Sequence, residues 1–388
     1  MQKQLVRIMN LRYWKSLVGL LVIIVGLFSI AGVRDVNAWQ TSYKYNHSKA
    51  FIELYQEHPE YYGARRYDET ENKSKALKAY QNDANQFFKP LPIIGFGIPS
   101  AMSAIIMFVV YLAGMLTFAN DRRTHFDTFL LSLSESRRRI YWTKLGYGIG
   151  TLFGSLILGQ AMYYLIVELG VKAPYAQLNL TNLSQHTIGN IILMLAVYVI
   201  GVIVGLVIGE LPTLLIGGSV FIWLVGATFS TIGDTQRFLV SDNLRTYATA
   251  ISQANGTLLS RLFAIDNNQA LYKNPQQIGL IVGILVATGL LVWCGQWLYR
   301  QVSLDRKYEL VQVACLKKPI MVIGTLYLAW MCGMNSVFSR SPLTLVDHQQ
   351  KWLMGWILLR NIVVIGIFAW LFVERPWQKQ TFFKRFRK

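Results

Sequence analysis

Several stretches of 18 or more consecutive residues in this chain contain no charged side chain. A helix rises about 1.5 Å per residue, so each stretch is long enough to cross about 30 Å of hydrocarbon. Hydrophobic residues make up 53% of the 388 positions and charged residues only 15%. Strands of a membrane barrel would alternate polar and apolar residues over about 10 positions, and these stretches do not. The sequence therefore predicts an all-α polytopic membrane protein.

The apolar stretches predict about eight transmembrane helices. Their expected limits are 16–33, 93–119, 145–169, 188–209, 214–232, 278–299, 319–337 and 352–373. A signal peptide is the competing interpretation of the first stretch, because Val36-Asn37-Ala38 resembles a cleavage site. The apolar run is longer than the usual core of about 7–15 residues, and Arg34-Asp35 precede the site, which favours a retained anchor.

Polar segments divide the chain into four expected regions. These are an N-terminal tail with the first span (1–33), an extracellular lobe (34–90), a transmembrane core (91–300) with an outer loop (233–277), and two further spans with a basic tail (301–388). The lobe has nearly balanced charge, with nine Lys or Arg and eight Asp or Glu. It is too small for a robust core of its own, so we expect it to lean on the membrane or on a second copy. Within it, 48–56 and 70–88 are candidate amphipathic helices.

The basic residues predict how the chain is oriented. With the N-terminus inside, the cytosolic segments 1–15, 121–144, 300–318 and 374–388 hold four to six Lys or Arg each, and the two short outer loops hold one and two. This is the positive-inside pattern, and it predicts a multi-pass protein with both termini cytoplasmic; the resemblance described below implies the bacterial plasma membrane. The formal net charge of +18 is concentrated at span ends, which indicates contact with anionic lipid and not nucleic acid.

The segment 120–144, between the second and third spans, is the most informative for function. Thr124-x-x-Asp127 has the spacing of a capping box, and Ser132-x-x-Glu135 has the same spacing. The pattern predicts two helical pieces with a break near Ser134. Three arginines, 137–139, then open the next span.

One face of this segment is apolar. Phe126, Leu130 and Leu133 share it by their spacing of four and three residues. One interpretation is an interfacial helix that lies on the inner leaflet, with its basic residues on lipid phosphates. The other is a surface that touches a cytosolic partner.

The order of residues in this segment resembles the coupling helix of ABC-2 type permeases, the membrane subunits of bacterial ABC transporters. Members of this family have an acidic residue before a Leu-Leu-Ser/Ala-Leu-Pro run, then Ser/Thr-Arg, then a Lys that opens the next span. Here the matching residues are Asp127, Ser136-Arg137 and Lys144, while Ser134 stands where the family usually has Pro. The layout of one span, an outer lobe and five more spans is also similar over residues 1–300. The last two spans are an extension seen in some Gram-positive members.

The resemblance implies an ABC-2 (type V exporter-like) core that couples to a separate cytosolic ABC ATPase subunit. The residues that it assigns to ATPase coupling are Phe126, Asp127, Leu130, Leu133, Ser136, Arg137 and Lys144. The chain would be a permease that exports an amphipathic or apolar substrate, such as an antimicrobial peptide. It would pair with a second copy or a sister permease. ATP and Mg²⁺ would be bound by the ATPase and no cofactor by this chain, which contains no Gly-x-x-x-x-Gly-Lys-Ser/Thr motif.

Other classes of function are less well supported by the sequence. A non-transporting sensor or scaffold that signals through its lobe is the main alternative. A membrane protease would need a motif such as His-Glu-x-x-His, which the chain does not contain. The cysteines Cys294, Cys315 and Cys332 have no paired spacing, so we expect neither a metal site nor a disulfide framework.

Three charged residues are expected at or near membrane depth. Arg360 lies eight residues into the last span, where a central arginine costs about 2.5–3.5 kcal/mol by insertion scales. It is expected to face protein, water or a carboxylate, with Glu168 as a candidate partner. Glu210, two residues before Pro212, either marks an exposed cytosolic turn or lines an inner gate.

The third predicted span contains closely spaced glycines at 146–150. Gly146 and Gly150 form a Gly-x-x-x-Gly pattern inside an apolar span. Such a pattern predicts close packing against another helix.

Overall fold

The structure is a computed structural model that describes residues 2–58, 73–87, 100–133, 135–176, 180–208, 214–217, 220, 231, 275–302, 311, 313–338 and 348–374. Within these residues the regular secondary structure is helical, and one isolated antiparallel bridge joins Ile208 to Val311. The helices are α1 (Gln2–Asn46), α2 (Lys49–Glu57), α3 (Lys73–Asn85), α4 (Ser100–Arg123), α5 (Phe126–Ser132), α6 (Arg137–Gly170), α7 (Leu180–Val207), α8 (Pro275–Gln301), α9 (Ala314–Phe338) and α10 (His348–Glu374).

Six of these helices are long and apolar enough to cross a membrane: α1, α4, α6, α7, α8 and α9. Helix α10 contains a shorter apolar stretch, Gly355–Leu371. The expectation of an all-α protein with several membrane-spanning helices is therefore confirmed for the described residues. Helices occupy seven of the eight expected spans, while most of the span at 214–232 lies outside the described residues. The total of eight spans stays a prediction.

Two helices extend well beyond the apolar stretches that predicted them. Helix α1 has 45 residues and continues past Val33 to Asn46. Its length is about 67 Å at 1.5 Å per residue, more than twice the thickness of the hydrocarbon layer. Helix α6 begins at Arg137, before the apolar stretch that starts near Leu145. Apolar runs mark the part of a helix that hydrocarbon can cover, whereas its backbone hydrogen bonds continue into water.

The chain forms two compact units. The first comprises Met1–Val110, Thr143–Val197 and Ile265–Thr288, and the second comprises Tyr111–Trp142, Tyr198–Ala264 and Gly289–Lys388. The limits of these units fall within α4, α6, α7 and α8, so each of these helices contributes residues to both.

In the first unit, α2 and α3 form a small aromatic core. The hydroxyl of Ser48 caps α2 by accepting the backbone N–H of Phe51 at 3.2 Å. Phe51 and Tyr55 are buried, and the Phe51 ring stacks on Tyr80 of α3 with centroids 5.8 Å apart. Both expected amphipathic helices are therefore confirmed where they fall within the described residues.

This small core is attached to the extended end of α1. The indole Nε1 of Trp39 donates to the backbone oxygen of Asn85 at 2.7 Å, and Asn46 Nδ2 donates to Asn85 Oδ1 at 3.0 Å. The amide Nε2 of Gln81 donates to the backbone oxygen of Asn46 at 2.6 Å. The segment thus leans on α1 of its own chain, which explains why α1 continues past its apolar run.

Also in the first unit, α1 and α6 pack side by side in parallel. A Cβ atom added to Gly159 would lie 2.6 Å from the side chain of Phe28, and one added to Gly170 would collide with Val36. The contact partners have higher residue numbers on both α1 and α6 as one moves along the pair, from Phe28 with Gly159 to Val36 with Gly170. The two helices therefore run in the same direction. Glycine at these positions allows the helices to approach closely.

In the second unit, α4 and α7 also pack in parallel through glycines. A Cβ atom on Gly201 would collide with the backbone oxygen of Tyr111, and one on Gly205 would collide with that of Met115. The backbones of α4 and α7 therefore touch directly, and both helices end at the same side of this unit.

The glycine pattern singled out in the sequence is not the one that packs. Gly146 and Gly150 are both exposed, and no described atom lies within 4 Å of a Cβ added to either. The close contact uses Gly201 and Gly205, which have the same spacing on α7. The prediction for Gly146 and Gly150 is wrong within the described chain, because spacing alone does not say which glycine pattern meets a neighbour.

Replacing Gly201 by Ala should destabilise the second unit, because the new methyl group forces α4 and α7 apart. Overpacking of this kind costs about 1–3 kcal/mol. We expect the thermal unfolding temperature of the purified protein in detergent to fall by several degrees. The matched control is Gly289→Ala on α8, where the added Cβ meets no described atom within 4 Å. Equal unfolding temperatures for the two variants would contradict direct α4–α7 contact.

Candidate functional site

The chain reverses direction between α4 and α6 through residues 124–136, which we call the elbow. Helix α5 lies within it and begins after His125, whose φ of 58° is in the left-handed region. The hydroxyl of Thr124 donates back to the oxygen of Asn120 at 3.1 Å. Thr124 therefore bonds to the preceding helix, and the expected capping box from Thr124 to Asp127 is wrong. The sharp reversal places His125 at the N-cap, without a side-chain cap bond.

The first turn of α6 is capped by Ser136, whose hydroxyl accepts the backbone N–H of Arg139 at 3.3 Å. The capping box expected from Ser132 is wrong, because the Ser132 hydroxyl donates to the oxygen of Phe129 at 2.7 Å. The expected break near Ser134 is confirmed, since α5 ends at Ser132 and α6 begins after Ser136.

Arg122, in the last turn of α4, closes the end of α7. Its guanidinium donates to the backbone oxygens of Gly205, Leu206 and Ile208, the last two at 3.3 Å. The final carbonyls of a helix have no donor within the helix and carry partial negative charge. A guanidinium supplies both the missing donors and a positive charge. Arg122 therefore ties the end of α4 to the end of α7.

Arg137, the first residue of α6, does the same for α8. Its Nη1 donates to the backbone oxygens of Arg300 at 2.8 Å and Val302 at 2.9 Å, where α8 ends. The elbow is thus flanked by two arginines, Arg122 before it and Arg137 after it. Each holds the C-terminal end of a different membrane-spanning helix.

Between these arginines, the carboxylate of Asp127 is buried within the second unit, with only 2% of the residue exposed. The hydroxyl of Tyr299, in the last turn of α8, donates to Asp127 Oδ1 at 3.4 Å. The carboxylate is also attracted electrostatically to the Arg122 guanidinium. A buried carboxylate is tolerated when such groups compensate its charge. Asp127 therefore fixes α5 to α8 and to the end of α4.

An aromatic cluster supports this polar network. The ring of Phe118 on α4 lies 5.5 Å from that of Tyr141 on α6 and 5.4 Å from that of Tyr299 on α8. The Tyr141 hydroxyl donates to the backbone oxygen of Val292 at 2.9 Å. Three helices next to the elbow are therefore held together by rings, and Tyr141 also bonds to the backbone of α8.

The residues assigned to ATPase coupling fall into different environments. Asp127, Leu130 and Lys144 are buried, Phe126, Leu133 and Arg137 are half-buried, and Ser136 is exposed. Lys144 belongs to the first compact unit and the other six belong to the second. Most of the set therefore holds the elbow in place, and its role in contacting a partner stays a prediction.

The outward side of the elbow consists of exposed side chains, of which Ser136 alone belongs to that set. We call this surface the elbow face; its exposed members are Thr128, Phe129, Ser132, Ser136 and Arg138. Phe129 is 45% exposed, and its ring stacks on that of Phe126 at 5.8 Å. The elbow face thus offers an aromatic ring and hydroxyl groups, with a cation at one end.

Sequence reasoning missed the two residues that join the elbow to neighbouring helices most directly, Arg122 and Tyr299. The sequence shows Arg122 only as one of the basic residues of a predicted cytosolic segment. The available signal was an arginine in the last turn of an apolar span, at the depth where neighbouring helices end. The partners of Arg122 and Tyr299 lie more than 80 positions away, so only the fold identifies them.

The charged residues expected at membrane depth are not brought together. Arg360 is exposed in the middle of α10, and its Nη2 donates to Asn361 Oδ1 at 3.3 Å. Glu168 is exposed near the end of α6 and belongs to the other compact unit, so a pair with Arg360 stays a prediction. Glu210 lies outside the described residues.

A further buried carboxylate belongs to Asp35, which the sequence marks only as the end of an apolar run. It is 8% exposed, and Tyr163 on α6 donates its hydroxyl to Asp35 Oδ2 at 2.8 Å. The pair adds a polar contact to the parallel packing of α1 and α6.

Comparison of the chain with known protein families, with curated proteins and with solved structures gives no match. Over the described residues, no group of three or more His, Cys, Asp or Glu side chains is placed to hold a metal ion. The function of the site is therefore inferred from its own geometry and from the motif in the elbow.

Replacing Arg122 by Ala should loosen the end of α7, because buried carbonyls lose a charged donor. Bonds of this type contribute about 1.5–3 kcal/mol, so amide hydrogen exchange at 204–208 should accelerate roughly tenfold to a hundredfold. The control is Arg123→Ala, which removes the adjacent exposed arginine; within the described residues Arg123 donates to none of these carbonyls. If both variants leave exchange in this turn unchanged, Arg122 does not close α7.

Proposed function

We propose that this chain is the membrane-spanning permease subunit of an ABC transporter, with an ABC-2 (type V exporter-like) core and two additional C-terminal spans. A separate cytosolic ATPase subunit would bind ATP and Mg²⁺ and drive the spans through the elbow. The proposal assigns the chain the outward transport of an amphipathic or apolar substrate.

The observation that carries this proposal is the attachment of the elbow. One side of α5 is buried through Asp127 and Leu130, while Thr128, Phe129 and Ser132 remain exposed. A segment that transmits force needs both properties: a surface that a partner can hold, and a firm connection to the helices that must move. An interfacial helix resting on lipid would instead place its apolar side in the bilayer.

The two flanking arginines indicate which helices would move. Displacement of the elbow pulls on Arg122 and Arg137, and these hold the ends of α7 and α8. Charge-assisted hydrogen bonds are stronger than neutral ones and fix the geometry of their partners, so these contacts suit the transmission of displacement. In this proposal, docking of the ATPase would reorient α7 and α8 together with α4 and α6.

The directions of the helices favour a cytosolic elbow. Helices α4 and α7 run in parallel and end beside the elbow, and α8 also ends there. The exposed arginines of this end, among them Arg123 and Arg138, fit the positive-inside pattern. By the same pattern, the four basic residues of 1–15 would place the N-terminus on the cytosolic side.

One set of spans would line only half of a transport pathway, so the proposal includes a second permease copy or a sister permease. Self-protection against antimicrobial peptides is a common role of similar permeases. The substrate class proposed here follows from that resemblance.

A second candidate function is a non-transporting membrane sensor. Helix α1 favours it, because one unbroken helix of 45 residues contains an apolar stretch and carries the α2–α3 segment near its C-terminal end. Reconstituted vesicles distinguish the two functions. A sensor would bind its cytosolic partner without ATP-dependent movement of any substrate across the bilayer.

Removal of the exposed ring and cation of the elbow face should uncouple the ATPase. We expect Phe129→Ala with Arg138→Glu to reduce co-purification with the cytosolic ABC ATPase subunit and to lower the stimulated ATP turnover by tenfold or more. Both side chains are exposed, so the fold should survive. The measurements are affinity purification and steady-state phosphate release in vesicles.

The matched control is Leu11→Ala with Arg7→Glu on α1. It removes an exposed apolar side chain and reverses one exposed charge on a helix that is not part of the elbow. This variant should keep the complex and its turnover. Intact coupling in the elbow variant, or equal losses in both, would rule out the elbow face as the docking surface.

Cysteine labelling tests the proposed orientation. In a background lacking Cys294, Cys315 and Cys332, an impermeant maleimide should label Lys75→Cys on α3 in intact cells. Ser136→Cys should react only after permeabilisation. Both positions are exposed, and Ser136 lies in the elbow. Labelling of Ser136→Cys in intact cells would reverse the orientation and exclude a cytosolic ATPase at the elbow.

A further inference from the structure

Helix α10 carries an arginine in the middle of an exposed apolar stripe. Arg360 shares this stripe with residues at spacings of three and four: Trp356, Val363, Val364 and Ile367. These four apolar side chains are 45–66% exposed. The stripe therefore has the composition of a lipid-facing surface except at Arg360.

The opposite side of α10 is covered by α9. Asn361 is 9% exposed, and a Cβ atom added to Gly366 would lie 3.6 Å from the methyl group of Thr325 on α9. The two helices thus form a pair within the second compact unit. Arg360 points away from the side that α9 covers.

The position of Arg360 leaves its charge poorly compensated. At 1.5 Å per residue it lies about 18 Å from the first residue of α10 and about 21 Å from the last. Long side chains reach the interface only when they lie near the ends of a span. Among the described residues, its guanidinium donates to the amide oxygen of Asn361, which carries no charge. A bare guanidinium at this depth favours a partner with a negative charge.

We propose that the α10 stripe around Arg360 binds a transmembrane helix of another protein that carries a carboxylate at the same depth. The guanidinium and carboxylate would neutralise each other, and the apolar side chains above and below would pack against the partner helix. Arginine and carboxylate form two parallel hydrogen bonds, which fixes the register of the two helices. The inference does not depend on the proposed transport function.

A second copy of this chain fits the stripe less well. Among its described spans, Asp35 and Asp121 are buried at 8% and 0% exposure. Glu168 is exposed but lies two residues before the end of α6, far from the middle of a span. Lipid phosphates also lie too far away, because they occupy the membrane surfaces. A carboxylate at mid-depth on a different chain satisfies the charge directly.

The test uses designed helices in vesicles that contain the purified full-length protein. Three labelled peptides share one Leu-rich sequence and carry Glu, Gln or Leu at the central position. Energy transfer to the labelled protein measures their association. We expect the Glu peptide to bind at least tenfold more tightly than the Leu peptide, with the Gln peptide between them.

Two variants assign this preference to Arg360. Arg360→Leu should abolish the advantage of the Glu peptide, and it should fold, because leucine suits a lipid-exposed position. Arg360→Lys keeps the charge and should retain most of the advantage. Thermal unfolding of both variants checks that the α9–α10 pair is intact.

Three results would overturn the proposal. The first is equal binding of all three peptides to the wild type. The second is a preference for the Glu peptide that survives Arg360→Leu. The third is self-association of the wild-type protein that is lost in Arg360→Leu while the peptides do not discriminate, since that result identifies a second copy as the occupant.

Discussion

The cytosol-facing architecture proposed for this chain depends on guanidinium groups bound to helix ends. Every helix leaves its last carbonyls without donors, and in a membrane protein these carbonyls lie close to hydrocarbon. Arg122 and Arg137 meet this requirement for α7 and α8 from the two ends of the elbow. Because each arginine belongs to a different helix from the one that it closes, satisfying the backbone also joins α4 to α7 and α6 to α8.

This arrangement explains why an acidic residue sits inside the elbow. The buried carboxylate of Asp127 is attracted to the Arg122 guanidinium and accepts the hydroxyl of Tyr299, so its charge is compensated. In the family that the elbow resembles, an acidic residue occupies the matching place. Its burial here indicates an internal role in holding α5 to α8. Contact with a partner would fall to exposed neighbours such as Phe129.

The sequence was sufficient for the parts of the fold that depend on composition. Apolar runs predicted the membrane-spanning helices, and the break in the elbow followed from the change of pattern near Ser134. Helix limits were less accessible, because α1 continues past its apolar run into a part whose partners are in the α2–α3 segment. The caps failed for a similar reason: Thr124 has two possible partners, and the choice between the preceding and the following helix is made by tertiary packing. Arg122 was visible as a charge, but its acceptors are defined only once α4 lies against α7.

Helix α1 has a mechanical consequence that follows from its length. A straight rod of about 67 Å that pivots by 5° moves its far end by about 6 Å, which is more than one helical turn. Since the α2–α3 segment is fastened to the outer part of this rod by Trp39 and Asn46, a small tilt would carry that segment sideways as a rigid body. This movement requires no rearrangement within the α2–α3 segment, and a small tilt of α1 is enough to displace the segment by more than one helical turn.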